Sequence, residues 1–477
     1  MMDSRLSARM LVEHLGSWRT REPAYEALAD AIRLLCLDNR IAPRTALPAE
    51  RELAARLQVS RTTVAAAYRS LRESDHIESL RGSGSVTLPL GRRDLGRASD
   101  VEGAIDLQQA SPPAWPGLAS VYADVAASAS TIVARSGYEM LGRAGLREAI
   151  AQRYSERGLP TTPAQVMVTT GAQSAISLTA RLLVSRGDRV LIETPTYPHA
   201  AESFSSAGAR LVGVPVTPGA GWDLDRADDA FRRAAPVAAY LMPAFHNPTG
   251  ETMPRDDAVR VATAARASGT VVIVDETTAE LDIDSGSVAG PFAAAAAGAE
   301  VITLGSVGKT VWGGLRVGWI RADEEIIRRL LALRPVFDLG TPELEQAVVE
   351  RLIPLMPEII RQRGDVLRSG RDALVSALAR RLPVWRVHAA TGGVALWAGL
   401  GVARSSALVM AARRRGVLLS AGPRFSVGGG HERHLRIPFT ASPDVLERAT
   451  EVLAASWEEV ADGSDAVPEP RGADALV

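Results

Sequence analysis

Lysine occurs once in this chain of 477 residues, at Lys309 in the segment GSVGKTVWGGLRVGW, whereas arginine occurs 53 times. A primary amine combines with an aldehyde to form a Schiff base, but a guanidinium is delocalised, permanently charged and a poor nucleophile. The single lysine therefore marks a position where an amine is useful for covalent chemistry. The alternative is a surface lysine left by chance in an arginine-rich chain, so the residues around it decide between the two.

Groups that suit a phosphate attached to an aldehyde lie near this lysine and upstream of it. Ser306 precedes Lys309, and Arg316 follows it in a glycine-bearing segment that can bend back, which places a hydroxyl and a cation beside the amine. The run VMVTTGAQSAISLTARLL predicts a strand, a glycine turn and a helix. The free amides at the start of that helix would bind the same phosphate, and they lie near Gly171, Ala172 and Gln173.

Two further positions suit the ring of such a molecule. The segment HNPTG holds Asn247 in a loop fixed by proline and glycine, and VVIVDE ends an apolar strand at Asp275. A carboxylate at the end of a buried strand either caps a helix or faces a cationic ring nitrogen, and an HNPTG loop can be a simple turn. Each feature alone is compatible with a purely structural role, so the combination carries the prediction.

In their order along the chain, these residues resemble the aminotransferase class I/II family of fold-type I pyridoxal-phosphate proteins. The resemblance runs from about residue 103 to residue 455 and rests on Gly171, Asn247, Asp275, Lys309, Arg316 and Arg436. It implies pyridoxal 5'-phosphate as the cofactor, held by Lys309 as a Schiff base. It also implies that Asp275 holds the pyridinium N–H, that Asn247 bonds the phenolic oxygen, and that Tyr197 of TPTYPH stacks on the ring. The phosphate would be bound by Ser306, Arg316, Gly171, Ala172 and Gln173.

The resemblance extends to a substrate or effector site, with two departures. Arg436 in HLRIPF matches the arginine that takes a carboxylate, and Tyr138 in SGYEMLG matches a tyrosine that reaches the phosphate of the partner subunit. Family members usually carry a second tyrosine after the aspartate, but DETT puts Thr277 and Thr278 there, and Gly308 replaces the usual serine or alanine before the lysine. Transamination is therefore a weaker expectation than cofactor binding.

The front of the chain has a different composition. Between Arg40 and Arg97 there are eleven arginines and six acidic residues, an excess of five positive charges in a chain whose net charge is −1. Helical spacing predicts three short helices, in EALADAIRLLCL, LPAERELAARLQV and SRTTVAAAYRSLRES, with Ser60 as the cap of the third. The run HIESLRGSGSVTL predicts a hairpin. Three helices and a hairpin describe a winged helix-turn-helix.

Several of these residues are placed to contact DNA. Arg61, Thr62 and Thr63 begin the third helix, where base edges are met, while Arg51 and Arg81 could hold the backbone. The pattern LPAERELAARLQVSRTTVAAAYRSLRESDHIESLRGSGSV resembles the GntR-type winged helix of bacterial transcription regulators. That resemblance implies double-stranded DNA as a partner, contacted through Arg51, Arg61, Thr62, Thr63 and the wing glycine Gly82.

The sequence divides into five parts. We predict a helical extension over 1–20, the winged helix over 21–88, a linker over 89–102, the aminotransferase-like domain over 103–460 and a disordered tail over 461–477. In the large domain, apolar β-rich runs alternate with helical patterns, which predicts an α/β lobe with a mostly parallel sheet. From about residue 345 the pattern becomes mixed, which predicts a smaller α+β lobe.

Composition excludes several classes of protein. The only cysteine, Cys36, lies in the apolar run IRLLCL and can form no disulfide within the chain, which is typical of a buried thiol in a reducing compartment. No run approaches the ~18 apolar residues of a membrane span, and the N-terminus lacks the pattern of a signal peptide. We therefore predict a soluble cytoplasmic protein that does not enter a membrane.

A GntR-type winged helix joined through a linker to an aminotransferase-like domain resembles the MocR subfamily from end to end. The resemblance implies a pyridoxal-phosphate-dependent regulator that binds operator DNA, senses an amine or amino acid, and forms head-to-tail homodimers with each winged helix near the partner's larger lobe. A working aminotransferase with a vestigial DNA-binding domain is the main alternative. A cofactor-free domain that serves only for dimerisation is a third.

Overall fold

The computed structural model describes residues 4–16, 18–19, 23–80, 84–89, 103–284 and 290–461. Two predicted DNA contacts, Arg81 and Gly82, lie outside these described residues, as do positions 90–102 of the predicted linker and 462–477 of the predicted tail. In the part of the chain that is described, no helix is long and apolar enough to cross a membrane.

The N-terminal domain, called the reader below, comprises the described residues from 4 to 89. Its helices are α1 Ala8–Leu15, α2 Ala24–Leu37, α3 Glu50–Leu57 and α4 Arg61–Glu73. Its strands are β1 Ser4–Arg5, β2 Thr45–Ala46, β3 Ile77–Leu80 and β4 Gly84–Thr87, in the order β1-β2-β4-β3. Ser60 caps α4, because its hydroxyl accepts from the Thr63 amide at 3.1 Å. The predicted winged helix-turn-helix is confirmed.

The larger lobe is built on an eight-stranded sheet in the order β6-β13-β12-β11-β10-β7-β8-β9. The strands are β6 Val166–Thr169, β7 Arg189–Thr194, β8 Arg210–Thr217, β9 Gly221–Trp222, β10 Ala238–Leu241, β11 Val271–Asp275, β12 Val301–Ser306 and β13 Gly318–Arg321. Among the described strands of this sheet, β9 and β13 run opposite to the other six. The predicted mostly parallel α/β sheet is confirmed, and its buried strands are nearly continuous runs of valine, isoleucine and leucine.

Helices cover both faces of this sheet. They are α5 Leu118–Ala127, α6 Ala129–Val133, α7 Ala144–Glu156, α8 Ala172–Leu183, α9 Pro198–Ser206, α10 Leu224–Ala234, α11 Arg255–Ser268, α12 Phe292–Ala295, α13 Glu324–Leu333 and α14 Glu343–Leu352. Because each crossover helix returns the chain to the same edge, the carboxyl ends of the parallel strands lie side by side.

The smaller lobe combines two short sheets with three helices. Its strands are β5 Ile105–Asp106, β14 Ala395–Gly399, β15 Val417–Leu418, β16 Ser420–Ala421 and β17 His434–Pro438, and its helices are α15 Met356–Arg381, α16 Ser405–Arg414 and α17 Pro443–Val460. Strand β5 pairs with β15, so the first described residues after the linker join this lobe. Within the chain, the reader contacts its own smaller lobe, where Leu34 of α2 enters the apolar core.

Candidate functional site

A cavity of about 540 Å³ lies between the carboxyl edge of the large sheet and the smaller lobe. It is lined by nine of the residues that sequence reasoning selected: Ala172, Gln173, Tyr197, Asn247, Asp275, Ser306, Lys309, Arg316 and Arg436. The first eight follow strands of the larger lobe, whereas Arg436 is contributed by β17 of the smaller lobe. Residues separated by more than 260 positions are thus brought to one cavity at the edge where open α/β sheets bind ligands.

Lys309 follows β12 and is partly buried. Its Nζ donates to the backbone oxygen of Ala110 at 2.6 Å. Burial, together with the positive charges of Arg436 and Arg316, lowers the pKa of the amine to about 8, although the carboxylate of Asp275 acts in the opposite direction. A larger fraction of this amine is therefore uncharged near neutral pH than for an exposed lysine, which suits a nucleophile.

Asp275 is the last residue of β11 and is 3% exposed. Its Oδ2 accepts from the Tyr240 hydroxyl at 2.7 Å, and its Oδ1 accepts from the Thr277 amide at 2.9 Å. Burial raises the pKa of Asp275, while the hydrogen bonds from Thr277 and Tyr240 lower it. Sequence reasoning missed Tyr240, because a tyrosine inside the apolar strand β10 is expected to be an ordinary core residue. Its role becomes visible only when its partner, Asp275 on the neighbouring strand β11, is known.

Gly171 and Arg316 lie side by side in the site. Gly171 has φ +85° and begins α8, and a Cβ placed on it would come within 2.7 Å of Arg316 Nη2. The guanidinium therefore lies directly against the glycine turn, and its Nη2 donates to the Thr170 carbonyl at 3.1 Å. Beside it, the Ser306 hydroxyl accepts from the Gly308 amide at 3.0 Å. The cation, hydroxyl and first amides of α8 form a cradle that fits a phosphate.

Asn247 supplies an amide group to the cavity. Its Oδ1 is buried and has no hydrogen-bond partner within the described residues, so it is available to a ligand. Thr278 does not replace the usual tyrosine, because its hydroxyl donates to the Ala244 carbonyl at 3.0 Å. A partly buried amine, a buried carboxylate, an unpartnered amide and a phosphate cradle in one cavity fit the donor set that pyridoxal phosphate requires.

Arg436 is buried where the smaller lobe closes over the cavity. Its Nη2 donates to the Gln108 carbonyl, and its Cζ lies 4.9 Å from the centre of the Phe425 ring. Nε has no partner among the residues described. Burial and the nearby Arg424 lower its pKa to about 10. The guanidinium is thus still charged at neutral pH and keeps an unpaired donor for a carboxylate.

The two predicted tyrosines lie in different environments. Tyr197 precedes α9 and lines the cavity, and burial together with the charge of Asp275 raises its pKa to about 12. Tyr138 is 68% exposed and does not line the cavity of its own chain. A contact between Tyr138 and the phosphate of a partner subunit remains a prediction.

The predicted DNA-contacting residues lie at the start of α4 and on α3. The Arg61 side chain is 72% exposed and lies 3.8 Å from the Glu50 carboxylate, and Arg51 is also exposed. The Thr62 and Thr63 hydroxyls lie 2.7 and 2.8 Å from Ser60 Oγ. These threonines therefore also stabilise the start of α4, a role that sequence reasoning did not assign to them.

Comparison with known proteins gives a family for each domain. The aminotransferase class I and II family matches residues 124–453, and the gntR family of bacterial regulatory proteins matches residues 24–86. The uncharacterised HTH-type transcriptional regulator YisV of Bacillus subtilis is 27% identical over 419 residues, which are 79% of this chain and 84% of YisV. The probable rhizopine catabolism regulatory protein MocR of Rhizobium meliloti is 29% identical over 326 residues, which are 62% of this chain and 65% of MocR.

A solved structure matches the large domain. The alpha-aminoadipate aminotransferase LysN from Thermus thermophilus, complexed with N-(5'-phosphopyridoxyl)-L-leucine, has a TM-score of 0.69 and 28% identity, and the match covers 75% of this chain and 93% of that one. Aminotransferases of this fold are pyridoxal-phosphate dependent. With a GntR-type DNA-binding domain at its front, the chain belongs to the aminotransferase class I and II family and, within the GntR-type transcription regulators, to the MocR subfamily.

Proposed function

We propose that this protein is a pyridoxal-phosphate-dependent transcription regulator that senses an amine or amino acid. One observation carries the proposal: Lys309, Asp275 and Arg436 line a single cavity in a chain that also carries a DNA-binding reader. Pyridoxal phosphate supplies an aldehyde that combines reversibly with amines. An effector amine would take the place of Lys309 on the cofactor and would thereby alter the binding of operator DNA.

Different residues of the cavity would bind the cofactor and the effector. Lys309 would hold the cofactor covalently, Asp275 would face its ring nitrogen, and Asn247 would bond its phenolic oxygen. Tyr197 would lie against the ring, and Arg436 would take the carboxylate of an amino-acid effector through its free Nε donor. The phosphate would be held by Ser306, Arg316, Gly171, Ala172 and Gln173.

Two experiments test this function. The absorbance spectrum of the purified protein, followed by a screen of amines and amino acids for spectral change, identifies the cofactor and the class of ligand. Titration of a responding ligand with and without operator DNA then measures the coupling, which must be reciprocal. Equal ligand affinities in the two titrations would exclude regulation through the cavity.

The pKa of Lys309 predicts the pH dependence of cofactor incorporation. With a pKa of about 8 instead of 10.5, the uncharged fraction of the amine at pH 7 is roughly three hundredfold larger. Because the uncharged amine is the nucleophile, we expect the rate to rise as the pH passes through about 8 and then to level off. Stopped-flow absorbance after mixing the apoprotein with pyridoxal phosphate measures this rate. A rate that still rises steeply above pH ~9.5 would instead indicate a lysine of ordinary pKa.

Arg61 is expected to contribute to DNA binding. Arg61→Ala removes an exposed cation from the start of α4, and the loss of such a contact costs about 1–3 kcal/mol, or roughly a tenfold to hundredfold weaker affinity. Fluorescence anisotropy with a DNA fragment from upstream of the gene, at one fixed salt concentration, measures the change. Arg9→Ala, which removes an exposed arginine from α1, is the matched control. Equal affinities for the two variants would argue against α4 as the recognition helix.

A working aminotransferase is the second candidate, and it is favoured by the same three residues in the cavity and by the match to LysN. Steady-state assays with several amino acids and 2-oxoacids distinguish the two functions. Turnover near the usual enzyme median of ~10 per second would favour the enzyme. The hydroxyl of Thr278, which stands where family members usually have a tyrosine, is engaged by the Ala244 carbonyl and is not available to the cofactor, which favours the regulator.

We further propose that the protein forms a head-to-tail homodimer. Exposed apolar side chains are concentrated in two segments of the larger lobe, around α6 and after α13, and comprise Val133, Tyr138, Val336, Phe337 and Leu339. Such concentrations of exposed apolar groups are typical of association surfaces.

A further inference from the structure

The reader is docked on the smaller lobe of its own chain through helices α2 and α16. Ala27 and Ala31 of α2 and Ala407 and Met410 of α16 line a residual cavity of only about 30 Å³, too small to disturb the packing. Leu34 of α2 is 3% exposed and belongs to the apolar core of the smaller lobe. The reader therefore has an apolar contact with this lobe in addition to its covalent connection.

Polar contacts flank this apolar surface at both ends of α16. Arg414, at its last residue, forms an ion pair with Asp30 of α2 at 3.0 Å. Arg404, which precedes the helix, donates from Nη1 to the Arg19 carbonyl of the reader at 2.6 Å. The reader is thus attached along the whole length of α16, and a shift of α16 must change its position or its contacts.

The first residue of α16 is also connected to the ligand cavity. The Ser405 hydroxyl, which is fully buried, accepts from the Gly422 amide at 2.9 Å. Gly422 begins the short 3-10 turn Gly422–Phe425, whose residues Arg424 and Phe425 both line the cavity. Phe425 in turn lies against Arg436. One hydrogen bond and one short turn therefore separate the carboxylate-binding arginine from the helix that carries the reader.

Charged side chains also lie between the reader and the ligand cavity. Asp38 directly follows α2 as its C-cap and is 6% exposed, and its Oδ2 has no hydrogen-bond partner in the part of the chain that is described. Burial raises the pKa of Asp38 to about 6, and the strongest opposing charge is that of Arg424, followed by those of Arg40 and Arg413. At the cavity, the Arg424 guanidinium forms an ion pair with Glu202 at 2.6 Å. Arg424 thus pairs with a carboxylate of the larger lobe, while its charge also lowers the pKa of Asp38 in the reader.

We propose that the turn Gly422–Phe425 and helix α16 couple the ligand cavity to the reader, so that filling the cavity loosens the docking of the reader on the smaller lobe. The inference rests on the proposed function only in that it requires a ligand to occupy the cavity. An anionic ligand attracts Arg424 towards the cavity and away from Asp38. Asp38 is then buried with less compensating charge, which opposes docking.

Hydrogen–deuterium exchange of the full-length apoprotein tests this coupling. N-(5'-phosphopyridoxyl)-L-leucine is a suitable probe, because it fills the cofactor and amino-acid positions together and needs no reaction with Lys309. Its binding is measured separately by equilibrium dialysis with absorbance detection. We expect the probe to accelerate exchange of the α2 amides by about tenfold, which corresponds to about 1.4 kcal/mol of lost docking.

Two buried serines of the smaller lobe provide a matched pair of variants. Ser405→Ala removes the acceptor for the Gly422 amide, whereas Ser456→Ala removes a hydroxyl that only donates to the Val452 carbonyl within α17. Both variants should bind the probe with wild-type affinity. In Ser405→Ala the acceleration at α2 should fall by at least half, while Ser456→Ala should respond like the wild type.

A second pair covers the case in which Ser405→Ala fails to fold. Ala407→Arg introduces a long cation into the contact with α2, and Ala455→Arg places the same side chain at an exposed position of α17. We expect fast α2 exchange in Ala407→Arg with or without the probe, and a wild-type response in Ala455→Arg. If the probe binds the wild-type protein but α2 exchange is unchanged, the coupling is wrong and the proposed function stands. If the probe does not bind, both are wrong.

Discussion

Replacement of Lys309 by alanine is expected to abolish the Schiff-base absorbance band that stays with the protein when it is loaded with pyridoxal phosphate and then passed through gel filtration. The chain contains no other lysine, so no second side-chain amine can take its place. The cavity keeps its phosphate cradle, because Ser306 and Arg316 make their contacts through other groups. The variant should therefore still bind the cofactor, but weakly and without the covalent bond. Absorbance spectroscopy after gel filtration measures the loss.

Lys309→Arg is the matched control for charge. It keeps a cation near Asp275 but removes the nucleophilic amine, and we expect it to lose the absorbance band as completely as the alanine variant does. Thermal denaturation distinguishes this result from misfolding, since both variants should still show a cooperative unfolding transition. A visible band that persists in either variant would show that Lys309 does not hold the cofactor.

Replacement of Arg436 by glutamine is expected to weaken the binding of amino-acid effectors while cofactor binding is retained. Arg436 is the guanidinium from the smaller lobe whose Nε lacks a partner among the described residues. Loss of one member of a buried charge pair costs about 2–5 kcal/mol, which is roughly a thirtyfold or greater loss of affinity. Titration of the cofactor spectrum with a responding amino acid measures the dissociation constant. An amine without a carboxylate should be affected much less.

Arg448→Gln is the control for this variant, because Arg448 is an exposed arginine of α17 in the same lobe. It should bind amino acids with wild-type affinity. If Arg436→Gln weakens simple amines and amino acids equally, the arginine stabilises the closed cavity as a whole. In that case its assignment as the carboxylate-binding residue would be wrong.

The fold was largely predictable because its elements have strong local patterns. The β-rich runs VMVTT and VVIVDE, selected from the sequence, form strands β6 and β11 of the large sheet. Ser60 caps α4 as its sequence position predicts. What local patterns do not contain is the direction of a strand, and β13 runs against β12 and β6 within a sheet that is otherwise mostly parallel.

The site was predictable only where residues follow strand ends in recognisable order. Asp275 and Lys309 were selected in this way. The Tyr240 hydroxyl, the Ala110 carbonyl and the Phe425 ring were missed, since each acts through a partner that is distant in sequence or through the backbone. A backbone carbonyl carries no signal in the residue type, so no reading of the sequence could have found it.

The sequence by itself determined the two domain families, the lone lysine and the order of the groups around it, because these depend on residue types and local spacing. The tertiary structure alone decided that the reader docks on α16 and that Ser405 bonds this helix to the turn that lines the ligand cavity. These contacts join segments far apart in the chain. The docking of the reader is stabilised by the hydrophobic burial of Leu34 and by the pairing of Arg414 with Asp30, which are distant in sequence and meet only in the folded chain.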